Sequence, residues 1–354
     1  MNNSFFRRNG TMGMFWEVVD RRSWMMVVGV VTLLGALSGC RLAEGSDKDQ
    51  RAVPTEEDKE MVERVADMAE EHRDTVGAEP FNHLRGNQQM QTAKEKILNE
   101  ESMDPDLLKR ARKYFESRIE MGRLAERWPE PDVYEIVKTD TPINLDGRLD
   151  DEAWESAETA EISFPNNTLE PEEEPVGTAR LLWDEEYLYA GFDVPDQDVQ
   201  APELERDGHV YNYDCVELFF MGDPRFKQYR ELNVSPSGAV FDMLGFWHPR
   251  KWGGDNRSEE DIKGLEIAYE VEGELNDSDK PNDGYTVEIA IPWEEVPNRG
   301  CAPATGETIY GLMAISDLDS PEEDRQHVFA SNLPILGWFH NIRCYGPMEL
   351  VERD

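Results

Sequence analysis

The fold can be worked out from the stretch Ile143-Asn-Leu-Asp-Gly-Arg-Leu-Asp-Asp-Glu-Ala-Trp154. Asp146 and Gly147 predict a turn, because glycine adopts positive φ without a steric cost. Asp150 or Asp151 is then placed to cap a short helix by accepting hydrogen bonds from its first free N–H groups. We expect the tryptophan that ends the stretch to be buried. Together these features predict a lid over one end of a β-sandwich.

The residues that follow Val133 predict a chain of short strands. Runs of alternating or apolar residues are bounded there by Gly, Pro, Asn and Asp. Residues 179–183 and 187–192, separated by a short acidic turn, are typical of a hairpin. We therefore expect a mainly β protein, an antiparallel β-sandwich of jelly-roll type, preceded by a short α-helical segment.

The charge balance of the chain limits the partners it can have. Its 36 basic and 75 acidic side chains give a net charge of −39 at pH 7. Such an excess of negative charge excludes nucleic acid and anionic membrane surfaces as partners, because like charges repel. Neutral ligands and cations remain.

The amino terminus has the features of an export signal. Arg21-Arg22 precede the apolar run 24–37, which is too short to span a bilayer and ends in Leu37-Ser-Gly-Cys40. This pattern resembles the bacterial lipobox. The resemblance implies that residues 1–39 are a lipoprotein signal peptide and that Cys40 becomes the lipidated first residue. The mature protein would then be anchored in the bacterial envelope, facing the periplasm or the cell surface.

Between this signal and the strands we expect a tether and a helical segment. Residues 40–54 are polar and without periodicity, which predicts a flexible leash. Residues 55–130 form the helical segment, with one amphipathic helix over about 55–72. A second helix begins at Asp104-Pro105, a capping residue followed by proline at the first helical position. Its Leu and Phe stripe is expected to be core.

Six motifs occur in an order that resembles carbohydrate-binding module family 9. They are L-D-G-x-L-D at 145–150, W-D-x-x-Y-L-Y at 183–189, D-x-V-E at 214–217, Asn233 with Gly238, V-E-x-A-I-P-W at 287–293, and Tyr345-Gly346. The resemblance covers residues 133–352. It implies a non-catalytic sandwich that binds the ends of poly- or oligosaccharides.

The resemblance also implies which residues bind the sugar. In this family two aromatic side chains sandwich a sugar ring, and polar residues on adjacent strands hydrogen-bond its hydroxyls. Tyr211, six residues before Glu217 of the D-x-V-E motif, matches the first aromatic position. Asp214 of the same motif is a further polar candidate. Trp338 is the preferred second aromatic and Phe339 the alternate.

Strand alternation supplies two more candidates. If Leu232 and Val234 face the core, Glu231 and Asn233 face the opposite side, toward the groove. Family members that bind sugar carry Arg-x-Asn at this place, where this chain has Glu231-x-Asn233, or Asn233-x-Ser235 if the register is shifted by two residues. A glutamine that the family carries on the strand after Gly311 is replaced here by one of residues 314–316.

A structural calcium ion is the cofactor for which the sequence offers ligands. Hard cations take several oxygen ligands, and Asp193, Asp196 and Asp198 follow one another at a strand end. Asp146 and Asp150 could complete such a site. The alternative interpretation is a solvated acidic loop.

An enzyme is not expected. The chain has no H-E-x-x-H motif, no G-x-S-x-G motif and no cluster of Cys and His. Two alternatives to a sugar-binding lipoprotein stay open. One is a structural or interaction lipoprotein of the envelope without a sugar ligand. The other is a haem-binding sandwich that uses residues such as Met221, Met243, Met313 or His340.

Three of the four cysteines lie after residue 200. Cys301 and Cys344 are candidates for a disulfide, because exported domains meet an oxidising environment. Cys215 is expected to be a free, buried thiol.

Overall fold

The structure is a computed structural model that describes residues 51–73, 75, 78, 81, 87–248, 251–257, 260–299, 303–319 and 326–353. The predicted signal peptide and Cys40 lie outside these residues, as does most of the predicted tether. Within the described part, no helix combines the length and the apolar character needed to cross a membrane.

Three helices precede fourteen strands in the described chain. The helices are α1 (Glu56–Glu71), α2 (Gln88–Leu98) and α3 (Pro105–Ala125). The strands are β1 (Tyr134–Lys138), β2 (Thr159–Ile162), β3 (Phe164–Pro165), β4 (Gly177–Trp183), β5 (Tyr187–Val194), β6 (Cys215–Met221), β7 (Gln228–Val234), β8 (Val240–His248), β9 (Lys251–Arg257), β10 (Glu266–Glu272), β11 (Gly284–Pro292), β12 (Thr308–Asp319), β13 (Gln326–Ser331) and β14 (Gly346–Val351).

The strands form one continuous, curled sheet. Its order in the described chain is β10-β11-β5-β4-β1-β14-β12-β6-β7-β8-β9, with β2 beside β4, β13 beside β12 and β3 beside β13. The prediction of a mainly β, antiparallel fold is confirmed with one correction. Strand β1 runs parallel to both of its neighbours, β4 and β14, because it crosses between the two halves of the sheet instead of returning through a hairpin.

The two halves of the sheet close over a common core, which makes the architecture a β-sandwich. Phe192 and Ile289 come from the β4-β5-β11 half, and Phe220 and Leu232 come from the β12-β6-β7 half. All four belong to one cluster of side chains that are fully removed from solvent. Burying each large apolar side chain contributes roughly 1.5–3 kcal/mol.

The opening turn forms as the sequence predicts. Gly147 has φ +91°, and a Cβ atom there would collide with the backbone of Tyr269, so the position requires glycine. A single 3-10 turn, Glu152–Ser156, follows, and Trp154 is 3% exposed. The predicted cap is wrong. Asp151 precedes the 3-10 turn without capping it, because its carboxylate instead accepts the backbone N–H of Asn144 at 2.7 Å.

A buried glutamate on β11 holds this turn in place. Glu288 is fully buried, and its Oε2 accepts the backbone N–H groups of Asp146 (3.0 Å) and Gly147 (2.8 Å). Its Oε1 accepts the indole N–H of Trp154 at 3.0 Å. One carboxylate therefore fixes both the turn and the aromatic side chain of the lid.

Helices α1 and α3 form where the sequence predicts them. Thr55 and Asp58 make a capping box at the start of α1, and Asp104 caps α3. Arg112 of α3 donates from Nε to the buried carboxylate of Asp58 at 2.5 Å and lowers the pKa of Asp58 to about 2. Phe115 lies in the helical core, so the predicted stripe is core. Helix α2 was not predicted.

The helical segment packs against the sandwich. Met121, Leu124 and Trp128, at and after the end of α3, contact the side-chain cluster that includes Phe219 and Tyr229. The end of the predicted flexible tether is also ordered. A β-bridge joins residues 52 and 103 through two backbone hydrogen bonds of 2.8 Å each.

We predict that Glu288→Ala lowers the free energy of unfolding by roughly 3 kcal/mol or more, because three donors lose their acceptor and each buried donor left unpaired costs roughly 1–3 kcal/mol. Urea denaturation measures the effect. Glu266→Ala, a change at an exposed glutamate on β10, is the matched control and is expected to stay within about 0.5 kcal/mol of wild type. Equal stability of the two variants would contradict the role given to Glu288.

Candidate functional site

A row of side chains crosses four strands on the face opposite the core. Glu217 of β6 lies directly opposite Asn233 of β7 and Ala314 of β12, and Asn233 lies opposite Phe241 of β8. Residues opposite each other in antiparallel strands point to the same side of the sheet. Their neighbour Leu232 lies in the sandwich core, as strand alternation predicts. We call this row the floor.

The floor has a small apolar residue at one of the positions for which the resemblance implies a glutamine. Of the three candidate positions 314–316, the register puts Ala314 beside Glu217. A methyl group neither donates nor accepts hydrogen bonds. The polar atoms of the floor therefore come from Glu217 and Asn233.

Glu231 extends the floor along β7. It points to the same side as Asn233, whose Nδ2 donates to Glu231 Oε1 at 3.1 Å. The other oxygen, Oε2, lies 3.7 Å from His340 Nδ1. That nitrogen also contacts the hydroxyl of Tyr229 at 2.9 Å. His340 was proposed from the sequence as a haem ligand, whereas here it lies beside a carboxylate.

Burial raises the pKa of the two glutamates of the floor. Glu217 and Glu231 are 3% and 5% exposed, and loss of solvent raises the pKa of both carboxyls. The negative charge of Glu231 raises the pKa of Glu217 further. His340 and the hydrogen bond from Asn233 partly offset the effect of burial on the pKa of Glu231. The surroundings of Glu231 therefore favour its ionised form more than the surroundings of Glu217 favour that of Glu217.

Tyr211 stands at one end of the floor. It lies in a short 3-10 helix, Val210–Asn212, just before β6. Its ring stacks on His209 with centroids 5.4 Å apart and meets Phe241 edge-on at 5.3 Å. Because Phe241 is the last residue of the floor, Tyr211 forms a wall beside Asn233.

Trp338 is the exposed aromatic residue of the loop between β13 and β14. It is 42% exposed and meets Phe329 edge-on at 6.2 Å. Phe339, the alternate candidate, is 5% exposed and packs on Phe219 at 5.6 Å. Phe339 therefore belongs to the core, and its exposed neighbour is the one placed for stacking.

A chain of contacts links the two walls. The hydroxyl of Ser316 donates to the carbonyl oxygens of Tyr211 (3.3 Å) and Tyr213 (3.0 Å), and it contacts His327 Nε2 at 2.7 Å. The His327 ring lies 4.1 Å from that of Phe329, which touches the second wall. Sequence reasoning missed His327, because nothing in a strand pattern reveals a contact between strands.

Asp214 does not join this group. It is one residue from Cys215, so it points to the side of the sheet away from Glu217. Its fully buried carboxylate accepts the backbone N–H groups of Gln200 and Leu318. Burial raises its pKa to about 8. Its prediction as a sugar ligand is therefore corrected: Asp214 fixes loop backbone.

The predicted calcium ligands do not converge either. Among the described residues, Asp196 offers an oxygen within 4.8 Å of oxygens from Asp214 and Asp317, but that group includes neither Asp193 nor Asp198. Asp193 is exposed on β5, because it alternates with core residues. The acidic group thus assembles from three separate segments of the chain.

Of the predictions for the cysteines, one is confirmed and one stays open. Cys215 is a free, buried thiol as predicted, whereas Cys301 lies outside the described residues, so its pairing stays a prediction.

Of the proposed haem ligands, Met313 lies in the sandwich core, whereas Met221 and Met243 lie in the cluster on the other face of the sheet.

A surface depression lies apart from the floor. It has a volume of about 510 Å³ and is lined by nine residues: Gly222, Asp223, Pro224, Arg225, Asn298, Arg299, Glu307, Thr308 and Tyr310. None of these residues belongs to the floor or to its two aromatic walls.

Residues 145–236 match the model of the family described as carbohydrate family 9 binding domain-like. The resemblance inferred from the ordered motifs is therefore confirmed for this part of the chain. The match begins at the opening turn and ends just after Asn233, so it contains Tyr211, Glu217 and Glu231.

Two curated relatives match part of the chain. The exoglucanase XynX of Acetivibrio thermocellus is 25% identical over 156 residues, which are 44% of this chain and 12% of the relative. The endo-1,4-beta-xylanase A of Thermoanaerobacterium saccharolyticum is 26% identical over 161 residues, 45% of this chain and 12% of the relative. The matched region thus spans about an eighth of each enzyme.

A solved structure has a similar fold. It is a carbohydrate binding module of family 9 from Caldicellulosiruptor kristjanssonii in complex with cellotriose, with a TM-score of 0.42 and 16% identity. The similarity covers 63% of this chain and 95% of that chain.

Proposed function

We propose, from the premise that residues 145–236 are a family 9 binding domain-like region, that the sandwich binds carbohydrate without catalysing a reaction. The ligand is the end of a poly- or oligosaccharide. It lies on the floor between Tyr211 and Trp338. The observation that carries the proposal is that Glu217 and Asn233 lie side by side in a row that ends at Phe241, against which Tyr211 packs.

The chemistry of the floor and walls suits a sugar ring. The C–H faces of a pyranose bury apolar area against aromatic rings, and its hydroxyls need polar partners once they leave water. Trp338 supplies an exposed ring, and the floor supplies carboxylate and amide oxygens. The relatives that are named as enzymes extend far beyond the matched region, so their activities do not argue for catalysis here.

We predict that Tyr211→Ala and Trp338→Ala each weaken sugar binding by about tenfold or more, because burying an aromatic side chain contributes roughly 1.5–3 kcal/mol. A glycan array on the full chain identifies the ligand, and titration calorimetry then measures the affinities. Phe226→Ala, which removes another exposed aromatic away from the floor, is the control and is expected to bind like wild type.

If both wall variants stay folded and bind the sugar as tightly as wild type, the site is misplaced. If the folded wild type binds no glycan, the structural envelope protein becomes the better interpretation.

We also propose that Asp196, Asp214 and Asp317 hold a structural calcium ion. Three carboxylates within 4.8 Å repel one another, and the raised pKa of Asp214 reflects the cost of ionising that buried carboxyl. Carboxylate oxygens are the ligands that Ca²⁺ prefers, and a bound cation would offset the repulsion.

We predict that Ca²⁺ raises the melting temperature and a chelator lowers it, because a ligand that binds only the folded state stabilises that state. Differential scanning calorimetry measures the shift. Asp317→Asn should abolish it, whereas Asp193→Asn, a change at the exposed aspartate of the sequence-based site, should leave it intact. A shift lost only in Asp193→Asn would restore the original site.

We propose that the protein is a lipoprotein of the bacterial envelope, anchored through Cys40. The support is the lipobox-like Leu37-Ser-Gly-Cys40 after an apolar run, with paired arginines before it. The predicted tether would then place the sandwich at the periplasmic or cell-surface side.

We predict that Cys40→Ser moves the protein from the membrane fraction to the soluble fraction, since the acyl chains of the anchor are lost. Fractionation of cells that express each form, with Cys215→Ser as the matched cysteine control, tests the anchor. Membrane association that survives Cys40→Ser would exclude it.

A further inference from the structure

The floor is rich in hydrogen-bond acceptors. Glu217 and Glu231 contribute carboxylate oxygens, and Asn233 directs its amide N–H₂ at Glu231. Asn233 Oδ1 and Glu231 Oε2 are buried and have no hydrogen-bond partner within the described protein. Asn233 is fully buried and Glu231 is 5% exposed, so both oxygens belong to side chains shielded from solvent. Unpartnered buried acceptors are costly and rare in native proteins.

Ionising these two glutamates is costly, because burial raises the pKa of both carboxyls. The charged groups that shift the pKa of the two glutamates are Glu231 itself and His340. The adjacent Arg230 points to the other side of β7, where it pairs with Glu295. Arg343, near His340 in sequence, donates to the carbonyl oxygen of Thr75 at 2.7 Å.

We propose that the preferred ligand is a sugar with a free, protonated amino group, and that the amine binds at Glu217, Glu231 and Asn233. This inference rests on the proposed function and names the class of sugar. An ammonium group has three donors and no acceptor, which complements an acceptor-rich floor, whereas a hydroxyl both donates and accepts. Its positive charge would also offset the cost of ionising two buried glutamates side by side.

The aromatic walls favour the same ligand. Cations are attracted to the faces of aromatic rings, and Tyr211 and Trp338 flank the floor. An N-acetylated amino sugar has neither the charge nor three donors on its nitrogen. The floor therefore distinguishes the free amine from both the hydroxyl and the acetamido group.

Titration calorimetry on the full chain tests this at about pH 6, where amines of this kind are protonated. The probes are the β-1,4-linked dimers of glucosamine, of glucose and of N-acetylglucosamine, together with an alkyl diamine. We expect the glucosamine dimer to bind about tenfold more tightly than the other three, as charge-assisted hydrogen bonds are stronger than neutral ones.

Glu231→Gln should reduce that preference to about threefold or less, since it keeps the size of the side chain and removes the charge. Glu217→Gln is the second variant in case the first does not fold, and Glu266→Gln, at an exposed glutamate on β10, is the control for charge alone. The control should keep the full preference.

Four results would overturn the inference. Equal or tighter binding of the glucose or N-acetylated dimer, or an undiminished preference in folded Glu231→Gln or Glu217→Gln, refutes the amino sugar and leaves the proposed function standing. Diamine binding as tight as that of the amino sugar shows that the ring is not recognised. Failure of the folded wild type to bind any of the dimers refutes the amino sugar, and failure to bind any glycan of the array as well refutes both proposals.

Discussion

The lid of the sandwich depends on one buried carboxylate. Glu288 accepts three N–H groups from the segment that opens the domain, so strand β11 and the turn at Gly147 cannot separate without leaving buried donors unpaired. Two motifs about 140 residues apart in the chain are thereby one structural unit. This contact also explains why the opening motif carries a tryptophan: its indole N–H has a buried partner, while its ring closes a small apolar cluster with Leu182.

The candidate site follows from the register of the opposite half. Strand β6 lies between β7 and β12, and its pairing with both brings Glu217 level with Asn233 and Ala314. A shift of one residue would turn every polar side chain of the floor into the core. The apolar residues that alternate with them, such as Leu232, prevent this shift. The core therefore determines which residues a ligand can meet, and the loops add the two aromatic walls.

Local patterns made much of this predictable. Apolar periodicity predicted α1, and the capping residue Asp104 predicted the start of α3. The acidic turn after Trp183 predicted the β4–β5 hairpin, and strand alternation separated Leu232 from Asn233. Tertiary contacts were not predictable. The direction of β1 depends on strands far away in sequence. Proximity in a motif suggested that Asp214 acts with Glu217, but alternation puts them on opposite faces, and only the fold brings Asp214 near Asp317.

The central claim is that a sugar lies on the floor between Tyr211 and Trp338, and a crystal structure of the full chain with the sugar chosen by the array tests it most directly. The predicted result is a sugar ring against Trp338, with a hydroxyl or amino group about 3 Å from Glu217 and Asn233. A sugar bound elsewhere, for example in the depression lined by Asp223 and Arg225, and not in contact with Glu217 or Asn233, would contradict it.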